Sequence, residues 1–473
     1  MTRTVNRTPS LARAVLVTPG QTVINTETRP VAYPEFDLGL GHFVTRMRHM
    51  FGSAPDGTVL VDAGAAAALG LPQTAPQTAP DHPSLVAARG EGWKVSDLAP
   101  WTTFHRKGWP AVHLGVLPWL QAQDAHGLAR IAAGEKGRLR FPLQLDAASP
   151  ADIVTRLYRW TVLTGAAYHG TPGVAGTALL RKLQEGTRFE PTWMPGNLDA
   201  YREYRSCELD WSARHWSRPP AAGVRWEHGY DANLMYLAAA ASAVLPLRSL
   251  RHTGRRPFDK RLAGYWRVEL SPWLDTLLPD PAGYGPGHRD GGPRRLATPT
   301  LALLQDLTDE GVYGGFSVLD SWTCGERTNP KMPVTGLPLQ PWAHVIRDAI
   351  ALMSAIQDAG TAVDLAEPVA LLLALSRTYK ETIGSFVRGT GLVRRPEWQS
   401  IICALARAVL WRKIRTVGRE SGRWPLRIET DCVWYEGATA DSVADMPAGL
   451  IEGRGPGKCD RRKFKTNRLE VVA

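Results

Sequence analysis

The sequence lacks a run of apolar residues long enough to cross a membrane. A membrane-spanning helix needs about 20 predominantly apolar residues, whereas the longest alanine- and leucine-rich stretch, residues 234–247, is shorter and contains Pro246. The N-terminus has scattered arginines, but its apolar patch, Ala14 to Val17, is too brief for the apolar region of a signal peptide. We therefore predict a cytoplasmic protein with no membrane partner.

Cysteine is scarce, and no two cysteines form a Cys-x-x-Cys pair. The chain has five of them, an odd number, and they are far apart. Its twelve histidines also show no spacing of four residues on a helix, the pattern of a helical metal site. This distribution argues against a zinc site, a redox centre or a disulfide framework. The cysteines are Cys207, Cys324, Cys403, Cys432 and Cys459.

Acidic residues are fewer than basic ones. The chain has 56 Lys and Arg against 45 Asp and Glu, a formal charge of +11, with a pI near 9.5. Such an excess favours a polyanionic partner, because each phosphate that is neutralised releases counterions and adds affinity. An arginine-rich proteome would give the same composition without any nucleic acid, so charge alone leaves both alternatives open.

The length of 473 residues predicts more than one domain. Residues 1–56 contain several X-Pro steps and are expected to form an irregular lead-in. Residues 57–218 mix strand-like and helical patterns and are expected to form a mixed α/β domain. After Pro219 the pattern alternates strand and helix, and apolar residues at three- and four-residue steps then predict helices that begin at Pro341, Pro368 and Pro396. The second of these is predicted to end at Tyr379.

Two carboxylates lie close together near the C-terminus. The segment Leu426 to Tyr435 alternates apolar and polar residues, so a single strand would place Glu429 and Asp431 on one face. Neighbouring anions repel each other unless a cation lies between them or water screens them. A solvated strand edge is the alternative interpretation.

A third carboxylate, Asp231, lies where a predicted strand meets a predicted helix. With Glu429 and Asp431 it would complete a site for two Mg²⁺ ions, which prefer oxygen ligands and act in phosphoryl transfer. The alternative is a simple helix N-cap, a role that aspartate fills well. Farther along, Arg377 and Lys380 are three residues apart on a predicted helix, and such a cationic face suits a triphosphate. The alternative is a solvated basic face.

In this order the carboxylate and cation elements resemble the three motifs of family B DNA polymerases, over about residues 223–471. The first motif matches through Asp231 and Tyr236, with leucines in place of the usual Ser and Pro. The third is Glu429-Thr430-Asp431-Cys432 in place of Asp-Thr-Asp-Ser.

The second motif of the family is the least well matched. Lys380 and Ser385 fit it, while Gly384 and Val387 depart from its Asn and Tyr. The resemblance implies that Lys380, with Arg377 and Ser385, holds the incoming nucleotide.

The resemblance also implies a fold and roles for other residues. The fold would be α+β, with a polymerase-like palm over residues 219–473 (an antiparallel sheet with helices), helical fingers at 337–418 and no thumb. Asp231 and Asp431 would bind two Mg²⁺ or Mn²⁺ ions, Glu429 would assist, and Tyr236 would lie under the sugar of the nucleotide. A basic segment beyond the third motif would grip primer DNA, through Lys458, Arg461, Arg462, Lys463 and Lys465.

Family B enzymes commonly carry a proofreading exonuclease before the palm, and residues 57–218 have a suitable size for one. The nearest match to its Asp-x-Glu motif, in Val23 to Thr28, has Asn25 in place of the Asp, and Asn197-Leu198-Asp199 loosely resembles a later motif. We therefore expect a degenerate, inactive exonuclease-like domain.

Three functions are compatible with these observations. The first is a DNA-directed DNA polymerase that uses template-primer DNA and dNTPs, serves a mobile or linear DNA element, and needs a replication partner protein for processive synthesis. The second is an inactive DNA-binding replication or telomere-associated protein with the same fold. The third is a basic globular protein in which the motifs arose by chance. The first two imply association with the nucleoid.

Overall fold

The computed structural model describes residues 14–19, 21–29, 36–51, 56–76, 81–96, 98–135, 137–187, 215–283, 290–325, 333–360, 366–388 and 394–469. The chain divides into two compact units, each made of two stretches of sequence. The first unit is Met1–Leu183 with Val345–Thr382, and the second is Gln184–His344 with Ile383–Ala473. The predicted mixture of helices and sheets is confirmed. The predicted domain limits at residues 56 and 218 do not coincide with these divisions.

The first unit contains a seven-stranded mixed sheet in the order β3-β2-β1-β4-β7-β6-β5. β1 and β4 are parallel neighbours, as are β4 and β7, while the other neighbouring pairs are antiparallel. All five residues of β4 are buried, as expected for a strand covered on both faces. The strands are β1 Ala14–Thr18, β2 Gln21–Ile24, β3 Glu27–Arg29, β4 Gly57–Val61, β5 Lys94–Val95, β6 Trp101–Arg106 and β7 Trp109–Val116.

The helices that the structure describes before residue 188 are α1 Leu40–Phe51, α2 Ala63–Ala68, α3 Pro83–Gly90, α4 Leu117–Ala132, α5 Pro150–Thr164 and α6 Pro172–Gln184. The irregular lead-in expected before residue 57 is not observed, because β1 to β3 and α1 lie there. β1 is a buried inner strand of the sheet, and α1 contributes Phe43, Met47 and Phe51 to the apolar core. Two of the X-Pro steps that suggested irregularity mark strand ends, since β1 ends at Thr18 before Pro19 and β3 ends at Arg29 before Pro30.

The described residues of the second unit form three sheets. A five-stranded sheet has the order β18-β9-β17-β16-β8, a four-stranded sheet the order β11-β14-β12-β13, and β10 pairs with β15. Every pairing in them is antiparallel. The strands are β8 His215–Ser217, β9 Trp226–Asp231, β10 Leu245–Pro246, β11 Arg251–His252, β12 Gly264–Leu270, β13 Gly292–Ala297, β14 Phe316–Thr323, β15 Thr335–Gly336, β16 Arg427–Glu429, β17 Cys432–Gly437 and β18 Lys465–Arg468.

The remaining helices are α7 Met235–Ser242, α8 Thr298–Asp309, α9 Gln340–Ala359, α10 Ala366–Arg388 and α11 Pro396–Ser421. The last three match the helices predicted from prolines 341, 368 and 396. α10 continues nine residues beyond its predicted end, because nothing between Tyr379 and Arg388 breaks a helix. None of the helices in the described ranges is long and apolar enough to cross a membrane.

Within the first unit, α6 approaches α10 closely at two glycines. A Cβ at Gly176 would lie 2.1 Å from the Thr382 hydroxyl, and one at Gly173 would lie 3.1 Å from the Cβ of Glu381. Glu381 also accepts a hydrogen bond from the backbone N–H of Gly173 at 3.3 Å. Glycine is required here by the distance between the two helices.

Candidate active site

The segment that carries Glu429 and Asp431 is a hairpin. β16 pairs with β17 so that Glu429 lies opposite Cys432, and Thr430 and Asp431 form the connection. Thr430 has φ +61°, in the left-handed region that two-residue hairpin turns require. The prediction of one continuous strand is therefore wrong. Its alternating pattern belongs to two strands, and Asp431 occupies the turn instead of sharing a strand face with Glu429.

β9 lies beside this hairpin and brings Asp231 next to it. Asp231 is opposite Cys432 in the register, and the Ala232 N–H donates to the Asp431 carbonyl at 2.9 Å. Opposed Cα atoms are about 4.5–5.5 Å apart and consecutive ones about 3.8 Å, so the Cα atoms of Asp231 and Asp431 lie within about 9 Å of each other. The two aspartates thus lie near each other at one end of the sheet.

Asp231 is ion-paired with a lysine from the strand on its other side. Lys465 of β18 places its Nζ 3.2 Å from the Asp231 Oδ1. Burial, followed by the negative charge of Asp231, raises the pKa of the Cys432 thiol far above its ordinary value. Cys432 is therefore protonated at neutral pH and acts as a small packing group instead of a nucleophile.

Both carboxylate oxygens of Glu429 are occupied. One accepts from Arg427 Nη1 at 2.5 Å and the other from the Trp434 indole N–H at 3.1 Å. Arg427 also donates to Glu227 at 2.7 Å, and that same Glu227 oxygen accepts from the Asn467 amide at 2.9 Å. Glu429 therefore belongs to a chain of hydrogen bonds across the sheet face.

Trp434 is the centre of this face. Its ring lies 4.0 Å from the Arg427 guanidinium carbon and 5.8 Å from Lys465 Nζ, both distances measured to the ring centroid. On β9, a Cβ at Gly229 would lie 2.9 Å from both the Trp434 ring and the Cys432 sulfur. Glycine at 229 thus makes room for the indole, which holds the two cations in fixed positions.

The described residues contain no group of three or more His, Cys, Asp or Glu side chains that could hold a metal ion. Mg²⁺ in phosphoryl-transfer sites commonly takes one or two carboxylates and obtains its other ligands from water and substrate phosphates. Asp231 and Asp431 are two carboxylate residues near each other at one end of the sheet, which is the number that this smaller requirement needs. The oxygens of Glu429 already accept hydrogen bonds from Arg427 and Trp434, and a role for Glu429 at a metal stays a prediction.

The segment after Asp231 is not a direct strand-to-helix junction. α7 begins at Met235, and its N-cap is Leu234, which has φ +53° and no side-chain cap bond. The alternative interpretation of Asp231 as a helix N-cap is therefore excluded. Tyr236 is the second residue of α7 and is half-buried.

Asn233 connects the end of β9 to the loop at residues 453–458. Its backbone N–H donates to the Lys458 carbonyl, and its own carbonyl accepts from the Gly457 N–H, both at 2.9 Å. The side chain donates to the Arg454 carbonyl and accepts from Lys463 Nζ at 2.7 Å. The glycine-rich loop is thereby fixed relative to the strand that carries Asp231.

The five cations predicted to contact DNA have different environments. Arg462 is paired with Asp460 at 2.9 Å, Lys463 is bound to Asn233, and Lys465 is bound to Asp231. Lys458 and Arg461 are exposed, and within the described ranges their side chains make no hydrogen bond or ion pair. These two are the cations of the group that are available to a ligand.

The residues of the second predicted motif lie on α10. Arg377 is ion-paired with Glu381 at 2.9 Å, one helical turn away, and Lys380 is exposed beside the Tyr379 ring. Ser385 is half-buried. Arg377 and Lys380 belong to the first unit, whereas Ser385, Asp231, Tyr236 and the hairpin belong to the second.

The exonuclease-like motif considered in the first unit falls on a turn. Asn25 connects β2 and β3 with φ +58°, and its side chain accepts from the Ala14 N–H at 3.3 Å. It is thus a turn residue instead of a strand position equivalent to a catalytic Asp. Asn197 and Asp199 lie outside the described residues. A degenerate exonuclease-like domain stays a prediction.

The chain is similar to Phi29 DNA polymerase. The chain aligns with three solved structures of that enzyme. In the complex with primer-template DNA and incoming nucleotide the TM-score is 0.46 and 84% of the enzyme chain is covered. The values are 0.45 and 85% for the complex with primer-template DNA alone, and 0.43 and 83% for the complex with single-stranded DNA. Each alignment has 11% identity and covers 96% of this chain. No protein-family model and no curated protein matches the chain.

The sequence interpretation missed the residues that organise the site. Arg427 and Trp434 lay within the alternating segment, but their role depends on pairing between distant strands. Asn233 was passed over between Asp231 and Tyr236, although asparagine beside a glycine-rich loop is a common hydrogen-bonding residue. A strongly basic segment at residues 248–267 was also missed, and counting charges in a window along the chain would have found it.

Proposed function

We propose that the second unit carries a nucleotidyl-transfer site that acts on template-primer DNA and dNTPs. The observation that carries the proposal is the meeting of Asp231 and Asp431 at one end of an antiparallel sheet, joined by the hydrogen bond from Ala232 to Asp431. Two adjacent carboxylates beside a strand that carries Lys465 suit a site for phosphate groups and divalent cations.

In this proposal Asp231 and Asp431 hold Mg²⁺ or Mn²⁺, expected as two ions. Such ions lower the barrier to phosphoryl transfer by stabilising the charge on the attacking and leaving oxygens. Glu429 acts as a positioning residue, because it orients Arg427 and Trp434 and thereby fixes Lys465 beside Asp231.

The remaining residues would bind the substrates. Lys458 and Arg461 are exposed cations close in sequence to Lys465 and suit the phosphates of a primer strand. Tyr236 would lie beneath the sugar of the nucleotide. Lys380, with Arg377 and Ser385, would contact the triphosphate.

Primer extension tests the proposal. Wild-type protein is incubated with a primed DNA template, dNTPs and either Mg²⁺ or Mn²⁺. Asp231→Asn and Asp431→Asn should each reduce extension by about 10²-fold or more, because metal ligands account for several kcal/mol of transition-state stabilisation. Asp309→Asn is the matched control, since Asp309 is an exposed carboxylate on α8 of the same unit that accepts from Gln305.

A second candidate function is a DNA-binding replication or telomere-associated protein without catalysis. The observation that favours it is that cations of the protein already neutralise the carboxylates of the site. Lys465 is ion-paired with Asp231, and Arg427 is ion-paired with both Glu227 and Glu429. If wild-type protein binds DNA in a salt-dependent way but extends no primer with either ion, this second function is supported and the first is refuted. Service to a mobile or linear element and a replication partner remain predictions.

A further inference from the structure

More than half of the excess positive charge of the chain is concentrated in one short segment. Residues 248–267, here called the basic segment, contain seven Arg and Lys residues and one Asp, a net charge of 7 − 1 = +6 out of +11 for the whole chain. The basic residues are Arg248, Arg251, Arg255, Arg256, Lys260, Arg261 and Arg267.

The basic segment is anchored to the four-stranded sheet. It begins around β11, which pairs with β14, and ends in β12. Between them, the Ser321 hydroxyl donates to the Gly254 carbonyl at 2.7 Å, and the Thr298 hydroxyl donates to the Leu262 carbonyl at 2.8 Å. Phe258 packs edge-on against Trp266, with ring centroids 5.1 Å apart. Hydrogen bonds and aromatic packing therefore hold the cations in a defined arrangement.

Most of these cations are not neutralised within the protein. Arg251, Arg255, Lys260 and Arg267 are exposed, and within the described ranges none of the four makes a side-chain hydrogen bond or ion pair. Around the Asp231 site, by contrast, Arg427, Arg462 and Lys465 are each paired with a carboxylate. The one Asp of the basic segment is bound by Arg261 at 2.9 Å.

The arrangement brings like charges together. Arg267 lies directly opposite Arg295 of β13 in the register, a pairing that is unfavourable unless an anion is nearby. The carboxylate on the other side of Arg267, Asp320, is bound to His252 at 2.7 Å. Repeated exposed cations on a fixed backbone scaffold match the repeated phosphates of a nucleic-acid backbone.

We infer that the basic segment binds the sugar-phosphate backbone of DNA. It would form a second contact surface, built on the four-stranded sheet and separate from the five-stranded sheet that carries Asp231. The inference rests on the proposed function for the identity of the polyanion. The contacts are with phosphates, so they are independent of base sequence.

The experiment measures DNA affinity as a function of salt. A fluorescein-labelled oligonucleotide, in single-stranded and duplex forms, is titrated with wild-type protein and with Arg255→Ala/Lys260→Ala, and anisotropy gives the dissociation constant. Loss of each phosphate contact reduces the slope of log affinity against log salt by about 1, so the double variant should lose up to about 2. Arg388→Ala/Arg419→Ala is the control, because it removes the same charge from two other exposed cations of the second unit whose side chains have no hydrogen bond or ion pair among the described residues.

The inference is overturned if the basic-segment variant has the same slope as wild type, or if the control variant loses as much. Circular dichroism of both variants checks that they are folded. Failure of the proposed catalysis is a separate result. If wild-type protein extends no primer but the basic-segment variant has a reduced slope, catalysis is refuted and DNA binding by the basic segment is supported. Normal primer extension with an unchanged slope in the variant supports catalysis and refutes DNA binding by the basic segment. Absence of any DNA binding by wild type refutes both.

Discussion

A buried ion pair at the start of α11 allows a quantitative test of the structure. Arg395 places its Nε 2.5 Å from Glu397 Oε1, and the two side chains are only 10% and 8% exposed. Arg395 also donates to the Pro246 carbonyl at 2.6 Å and lies 4.4 Å from the Trp398 ring centroid. The pair therefore joins the first turn of α11 to β10 in a place that water scarcely reaches.

Substitution Glu397→Gln keeps the size of the side chain and removes its charge. Arg395 then remains charged and buried with only neutral partners, since arginine does not deprotonate in proteins. Two unit charges about 4 Å apart attract each other by about 4 kcal/mol at an effective dielectric constant of about 20. Breaking a buried pair from one side costs about 3–5 kcal/mol. We expect the free energy of unfolding to fall by that amount.

Urea denaturation followed by circular dichroism measures the change. The control is Asp306→Asn, which breaks the Arg412–Asp306 pair; that pair is similarly short at 2.6 Å, but its side chains are 42% and 44% exposed. It should lower stability by about 1 kcal/mol at most. The double variant Arg395→Met/Glu397→Gln should be less destabilised than Glu397→Gln alone. Equal losses in the buried and exposed pairs would refute the reasoning.

Three further predictions concern the first unit. The rings of His113 and His169 are stacked 3.7 Å apart, and burial lowers the pKa of both, so the unfolded chain binds more protons than the folded one near pH 6.5. The free energy of unfolding should therefore be highest above about pH 7 and fall as the pH decreases through about 6.5. Urea midpoints measured across this range should depend less on pH in His169→Phe than in wild type. The Tyr168 hydroxyl is buried without a partner in the described residues, so Tyr168→Phe should leave the melting temperature unchanged or raise stability by up to about 1 kcal/mol, and a larger loss would contradict this. Gly176→Ala should lower stability by about 1–3 kcal/mol because its Cβ would meet a threonine hydroxyl of α10 at 2.1 Å, whereas Gly90→Ala, with nothing within 4 Å, should not.

Local signals in the sequence predicted the helices well and the turns poorly. Prolines at 341 and 396 marked helix starts because proline favours the first turn. The turn at Thr430 was missed because alternation continues across a two-residue connection, so the two strands of a hairpin look like one. Neither Gly nor Asn marks this turn, although it needs a left-handed residue.

The carboxylates of the candidate site were identified from sequence, but their partners were not. The sequence predicted Asp231 and Asp431 to lie on neighbouring strands, and the register of β9 and β17 pairs Asp231 with Cys432, the residue after Asp431. The ion pair of Asp231 with Lys465 depends on β18 joining the sheet next to β9, which no local pattern encodes. The bonds of Glu429 to Arg427 and Trp434 likewise depend on side-chain geometry across a hairpin.

The order of strands in the five-stranded sheet has a consequence for synthesis of the chain. β9 lies between β17 and β18, and Asp231 is separated from Lys465 by 234 positions in sequence. During translation β9 emerges long before either neighbour, so both of its edges remain open, and open edges favour pairing with other chains. The sheet can be completed only when Arg468 has left the ribosome. A chaperone that shields this strand would therefore be needed more by nascent and truncated chains than by finished ones.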